Sequence, residues 1–109
     1  MELKIKQYDI FWVDLNPTIG VEINKVRPCV IVSPDEINRN VDTIIVAPIS
    51  SKGTSLPTRL KIQSGNKKQF VVLHQIRAID KRRLKQYIGA LHFNEIYKLK
   101  QIIREMLVD

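Results

Sequence analysis

Two short, uninterrupted β-branched runs constrain this chain most: Pro28–Val32 (PCVIV) and Thr43–Ile49 (TIIVAPI). Runs this short and apolar read as strands covered on both faces. Between them, Ser33-Pro34-Asp35 ends the first run, and Asp35–Arg39 has room for one helical turn. A parallel βαβ unit needs a full crossover helix at that point, so the spacing favours antiparallel pairing. Further segments fit the same pattern. Asp9–Leu15 (DIFWVDL) alternates and is aromatic-rich, and Asn16-Pro17-Thr18-Ile19-Gly20 breaks it into a loop that runs to Val26. Ser50–Pro57 is a small-residue polar loop, Thr58–Ile62 alternates, and Ser64-Gly65-Asn66-Lys67 turns toward Phe70–Leu73. Gln75–Ile79 extends that strand after a kink, Lys81–Lys85 is a basic connector, and Tyr87–Leu91 is a last short strand. Phe11, Trp12 and Phe70 are expected in the core.

From Asn94 the period changes. Ile96, Leu99, Ile103 and Met106 fall at helical spacing, with Ile102 and Leu107 widening the stripe. Asn94 is the expected cap, and Glu95 suits the positive end of the dipole. The stripe predicts core or dimer packing. The whole pattern predicts a mainly β (α+β) fold, a small, curled antiparallel barrel closed by a C-terminal helix.

At 109 residues and 44% apolar content, the chain is one domain, 1–109, with enough apolar surface for a core of its own. One cysteine excludes an intrachain disulfide, and two distant histidines, His74 and His92, offer no metal-ligand spacing. No metal and no cofactor are therefore expected. The opening residues lack a long apolar region, and no apolar run approaches membrane-span length, so a cytoplasmic location without a membrane is expected. The net charge is +7, and it is uneven: residues 1–54 carry six Lys/Arg against seven Asp/Glu, and residues 55–109 carry twelve against four. A basic half points to a polyanionic partner, nucleic acid or an acidic protein, although a solvated surface has the same composition.

Dinucleotide, P-loop, nucleophile-elbow and zincin signatures are all missing from the sequence. Cys29 lies mid-strand among apolar residues and reads as a buried, inert thiol. Arg27 precedes Pro28 and is held extended at the mouth of a strand. Its guanidinium either meets a phosphate or ion-pairs with Glu22. Ser50 shares a strand face with Ile44, Val46 and Pro48, and it serves either as a hydroxyl donor or as a turn former. His74-Gln75 sits at a strand break, where a histidine moves a proton or is structural. Arg77 and the cluster Lys81, Arg82, Arg83 and Lys85 either track a phosphate backbone or form an ordinary solvated connector.

Taken in order, these residues resemble the MazF/PemK toxin family, including its Kid branch, from Tyr8 to Leu107. Asp9–Pro17 is similar to the opening G-D-I-x-x-x-D-L-x-P, with Tyr8 at the usual glycine. Gly20-Val21-Glu22 resembles the G-x-E loop, Arg27–Val32 the R-P-x-x-V-I strand, and Asn38-Arg39 the N-R that follows. Val46–Ser51 resembles V-x-P-[IV]-T-S, while Leu56-Pro57-Thr58 and His74–Asp80 match the remaining pattern. His74, Val21 and Ile23 depart from residues common in the family, an acidic residue, histidine and glutamine respectively.

The resemblance implies an SH3-like barrel of the CcdB/Kid/MazF type working as a homodimer. It also implies a metal-independent endoribonuclease that cuts single-stranded messenger RNA, and a cognate antitoxin that fills the RNA groove. By position, Arg27 matches the catalytic arginine, and Ser50 matches the catalytic threonine with its hydroxyl kept. His74 is the expected acid/base. RNA contacts are expected from Glu22, Ser51, Thr58, Gln75, Arg77, Lys81, Arg82 and Arg83. Two other readings share the barrel: a toxin that inhibits DNA gyrase without cutting RNA, and a non-catalytic RNA- or protein-binding module.

Overall fold

The computed structural model describes residues 4–64 and 66–109. Gly65, in the predicted turn, lies outside the described residues. The strands are β1 (Asp9–Asp14), β2 (Val26–Ile31), β3 (Thr43–Ser50), β4 (Arg59–Ser64), β5 (Lys67–Val72), β6 (Arg77–Asp80) and β7 (Leu84–Ala90). The helices are α1 (Asp35–Asn40) and α2 (Phe93–Ile103), and α2 runs on into a π turn at Arg104–Val108. Strand order is β4-β5-β3-β2-β1-β7, with β6 also on β3, and every pairing is antiparallel.

β3 organises the sheet. Its first half pairs with β6, Val46–Pro48 pair with β2, and Ile49–Ser50 pair with β5. β5 and β6 are thus one interrupted strand laid along β3, broken by a 3-10 turn at Leu73–Gln75. The turn keeps Leu73 buried and turns His74 out to solvent.

The apolar runs in β2 and β3 are continuous because both of their faces are covered. Phe11, Val13, Cys29, Ile31, Ile44 and Val46 pack together inside the curl. Val30, Ala47, Ile49, Leu60, Val71 and Leu99 form a second core on the other face, beneath α2. Deleting the Leu99 side chain there is expected to cost about 2–5 kcal/mol. Covering that face with a helix removes the need for the sheet to seal on itself. Among the described strands β4 and β7 do not pair, so the expected barrel is a barrel-like but open sheet.

Two local expectations need correction. Trp12 is not core: it points away from Phe11 and Val13 on β1 and is 39% exposed. The cap of α2 is His92, not Asn94, because the Glu95 carboxylate accepts the His92 backbone N–H at 2.8 Å and starts the helix at Phe93. No helix among the described residues is long and apolar enough to cross a membrane.

Candidate functional site

Pairing between β2 and β3 runs Ile31↔Val46, Val30↔Ala47 and Cys29↔Pro48. Continuing that register by two residues sets Arg27 across from Ser50. By strand alternation both lie on the inner face, Arg27 with Cys29 and Ile31, and Ser50 with Val46 and Pro48. Both are half-buried at the rim of the core. Arg27 Nε donates to the Asn24 carbonyl at 3.2 Å, which anchors the stem of the guanidinium to the loop before β2. Ser50 Oγ accepts the Lys52 backbone N–H at 3.1 Å. An Arg27–Glu22 ion pair is not formed: the Glu22 carboxylate caps its own loop, accepting the Ile19 N–H at 2.6 Å.

Beside this pair lies a cavity of about 330 Å³ lined by residues that include Glu22, Pro48, His74, Gln75 and Arg77. Arg27 and Ser50 do not line it themselves. Pro48, on the same face as Ser50 and paired with Cys29, joins the two features. Arg77 Nη1 donates to the Leu15 carbonyl at 3.0 Å, and its charge reaches Cys29. Burial nevertheless dominates there and pushes the Cys29 thiol up to about 12, with Arg77 as a smaller opposing influence. Cys29 is therefore the inert thiol that its setting in the sequence suggests.

The remaining expected residues separate into distinct jobs. His74 is exposed, and its Nδ1 lies 3.0 Å from Thr58 Oγ1, which orients the ring. Gln75 uses its carbonyl to accept the Ile23 N–H at 2.9 Å and so ties the 16–25 loop to the strand break. Ser51 is exposed on the loop after β3. Arg83 donates to the carbonyls of Asp14 and Asn16, so part of its guanidinium holds the end of β1. Lys81 and Arg82 line a different cleft, away from the cavity beside Arg27. Arg82 forms a bidentate pair with Asp80 at 2.9–3.1 Å. That hydrogen bonding, from the Arg82 side chain first and its backbone second, holds the Asp80 carboxyl down at about 2.

Arg59 went unnoticed in the sequence. Its Nη1 donates to the Lys52 carbonyl at 2.9 Å, and its guanidinium lies 5.8 Å from the centre of the Phe70 ring. It thereby fixes the loop whose Lys52 N–H holds Ser50. Gly53, at φ +97°, is the adjoining signal: a side chain there would overlap Arg59 Nη1. Among the described residues no three His, Cys, Asp or Glu side chains cluster to hold a metal.

Residues 6–107 match the family described as PemK-like, MazF-like toxin of type II toxin-antitoxin system. The chain belongs to this family. Solved MazF-like structures share its fold. MazF from Deinococcus radiodurans superposes with a TM-score of 0.84 at 18% identity, covering 97% of this chain and 98% of that one. The Mycobacterium tuberculosis toxin MazF-mt6 gives 0.74 at 20% identity, covering 89% and 93%. A mycobacterial endoribonuclease in complex with its cognate antitoxin gives 0.78 at 16% identity, covering 94% of each chain.

Proposed function

We propose that this PemK/MazF-family toxin is an endoribonuclease that cuts single-stranded RNA, chiefly messenger RNA, without a metal. The observation that carries the reading is the Arg27–Ser50 juxtaposition at the ends of neighbouring strands, beside a cavity lined by Glu22, His74 and Arg77. RNA brings its own nucleophile, the 2′-hydroxyl. The protein has to hold the phosphate, move a proton and stabilise the added charge on phosphorus. Arg27 presents N–H donors and no acceptor, so it holds the phosphate and is not the base. Ser50 supplies a second donor to a phosphate oxygen. His74, oriented by Thr58, moves the proton. The 2′-hydroxyl gives its proton to His74 and its oxygen bonds to phosphorus, while the bond from phosphorus to the 5′-oxygen breaks and that oxygen takes up a proton from water. The products are a 2′,3′-cyclic phosphate and a 5′-hydroxyl, with no covalent enzyme intermediate. Glu22, Ser51, Gln75 and Arg77 shape the pocket for the bases.

We also propose a cognate antitoxin and a homodimer for this chain. The mycobacterial relative's complex with its own antitoxin supports the first, and exposed Tyr87 and Ile88 on the edge strand β7 support the second. Purified protein incubated with RNA in EDTA tests the activity. Cyclic-phosphate ends are expected, with resistance at positions carrying a 2′-deoxyribose. Intact RNA, or cutting of the deoxy substrate, overturns it.

A further inference from the structure

A second feature stands apart from the cavity beside Arg27. A cleft of about 820 Å³ brings together Lys4 and Lys6 ahead of β1, Arg39 on α1, and Lys81 and Arg82 from the 3-10 turn between β6 and β7. Five cations from three separated parts of the chain face one space. The acidic side chain among them is Asp35, whose Oδ1 is engaged by the Gln7 N–H at 2.7 Å, and Arg82 is offset by Asp80. Among the described lining residues the apolar one is Ile5, which is itself buried.

The cleft and the candidate site share no lining residue, but three arginines relate them. Arg77 of the cavity holds the Leu15 carbonyl, Arg83 holds the neighbouring Asp14 and Asn16 carbonyls, and Arg82 adjoins Arg83 at the cleft's edge. Arg77, Arg83 and Arg82 thus offer cations between the two, with the Asp80 carboxylate paired to Arg82. We propose that this cleft is a secondary phosphate-backbone site, which takes the flank of the single-stranded RNA whose scissile phosphate lies at Arg27. The proposal rests on the nuclease reading for its substrate, and it adds a sequence-independent contact remote from the cut. Affinity therefore depends on substrate length as well as on the sequence at the cut.

The test uses a 2′-O-methyl oligoribonucleotide of about 16 nucleotides, uncuttable by 2′-hydroxyl attack and long enough for an extended groove. Its binding is followed by fluorescence anisotropy across a salt series. Three proteins are compared: wild type, the cleft variant Lys4→Glu/Lys6→Glu/Arg39→Glu, and a control of equal charge, Lys61→Glu/Lys67→Glu/Lys98→Glu, at exposed positions elsewhere. Circular dichroism checks that both variants fold. Three lost phosphate contacts flatten the slope of log K against log salt by about 2, which weakens binding about 100-fold near 0.1 M salt and converges near 1 M. The control is expected to lose far less. Equal loss in both variants, or an unchanged slope in the cleft variant, overturns the cleft. Loss of polyglutamate binding with RNA binding unchanged also overturns it and assigns the cleft to an acidic protein. Wild-type protein that binds this probe through the cleft but cuts no RNA overturns the nuclease reading and leaves the cleft standing.

Discussion

Replacing Arg27 separates catalysis from folding. The Arg27 side chain makes one intramolecular hydrogen bond, Nε to the Asn24 carbonyl, from a half-buried position at the core's rim. Losing it is expected to cost about 1 kcal/mol of stability. A domain stable by about 5 kcal/mol or more stays almost wholly folded after such a change. On the proposed reading the same truncation removes a donor to the scissile phosphate, whose charge grows in the transition state, a loss of about 10²–10³ in rate, or about 3–4 kcal/mol. Arg27→Ala should thus lower single-turnover RNA cleavage by that factor with only a small shift in its urea midpoint. Arg27→Lys keeps the charge and loses the two-pronged geometry, and should recover only part of the rate. Cleavage within threefold of wild type for Arg27→Ala refutes the assigned role. A stability loss large enough to unfold the variant refutes the separation argued from its single hydrogen bond.

Three other perturbations test separate parts of the account. His74→Ala should change the pH dependence of the cleavage rate, and Thr58→Val, which removes the hydroxyl that orients the ring, should slow cleavage; a pH–rate profile identical to wild type in His74→Ala removes that histidine from proton transfer. Gly53→Ala forces a side chain into a φ of +97° against Arg59, and should destabilise the loop by about 1–3 kcal/mol and lower cleavage without abolishing it; unchanged urea stability contradicts the packing described. Cys29 should resist alkylation in the native protein and react after unfolding. Its folded pKa lies above its unfolded one, so its contribution to stability is complete below about 9 and is lost as pH rises toward 12. Cys29→Ala should flatten that alkaline limb of a stability–pH curve, and an unaltered limb contradicts the assignment.

What the sequence reveals follows from how local each cause is. The runs of β2 and β3 were readable because burial on both faces leaves an unbroken apolar string. Trp12 misled because aromatic content suggested core, whereas the period of two places it opposite Phe11 on the outer face. β7 begins at Leu84 rather than Tyr87, since the 3-10 turn at Lys81–Arg83 ends directly at its first pairing, Leu84 with Val13. Tyr8, at the family's usual glycine, does adopt φ 74°, so the backbone keeps the left-handed turn that glycine would accept more cheaply. The pairing of Arg27 with Ser50 was suggested only by resemblance, because it depends on strand register. The duties of Gln75, Arg77 and Arg83 were hidden altogether, since each holds a backbone group 52 to 69 residues away. Local sequence could mark them as polar or basic, but not as the clamps of a distant loop.

A double-mutant cycle on Arg27 and Ser50, read in single-turnover cleavage rates, bears most directly on the claim that both act on one phosphate. If they do, Arg27→Ala and Ser50→Ala each cost rate, and together they cost clearly less than the product of the two separate losses. Losses that multiply without coupling would mean that the arginine and the alcohol serve different groups.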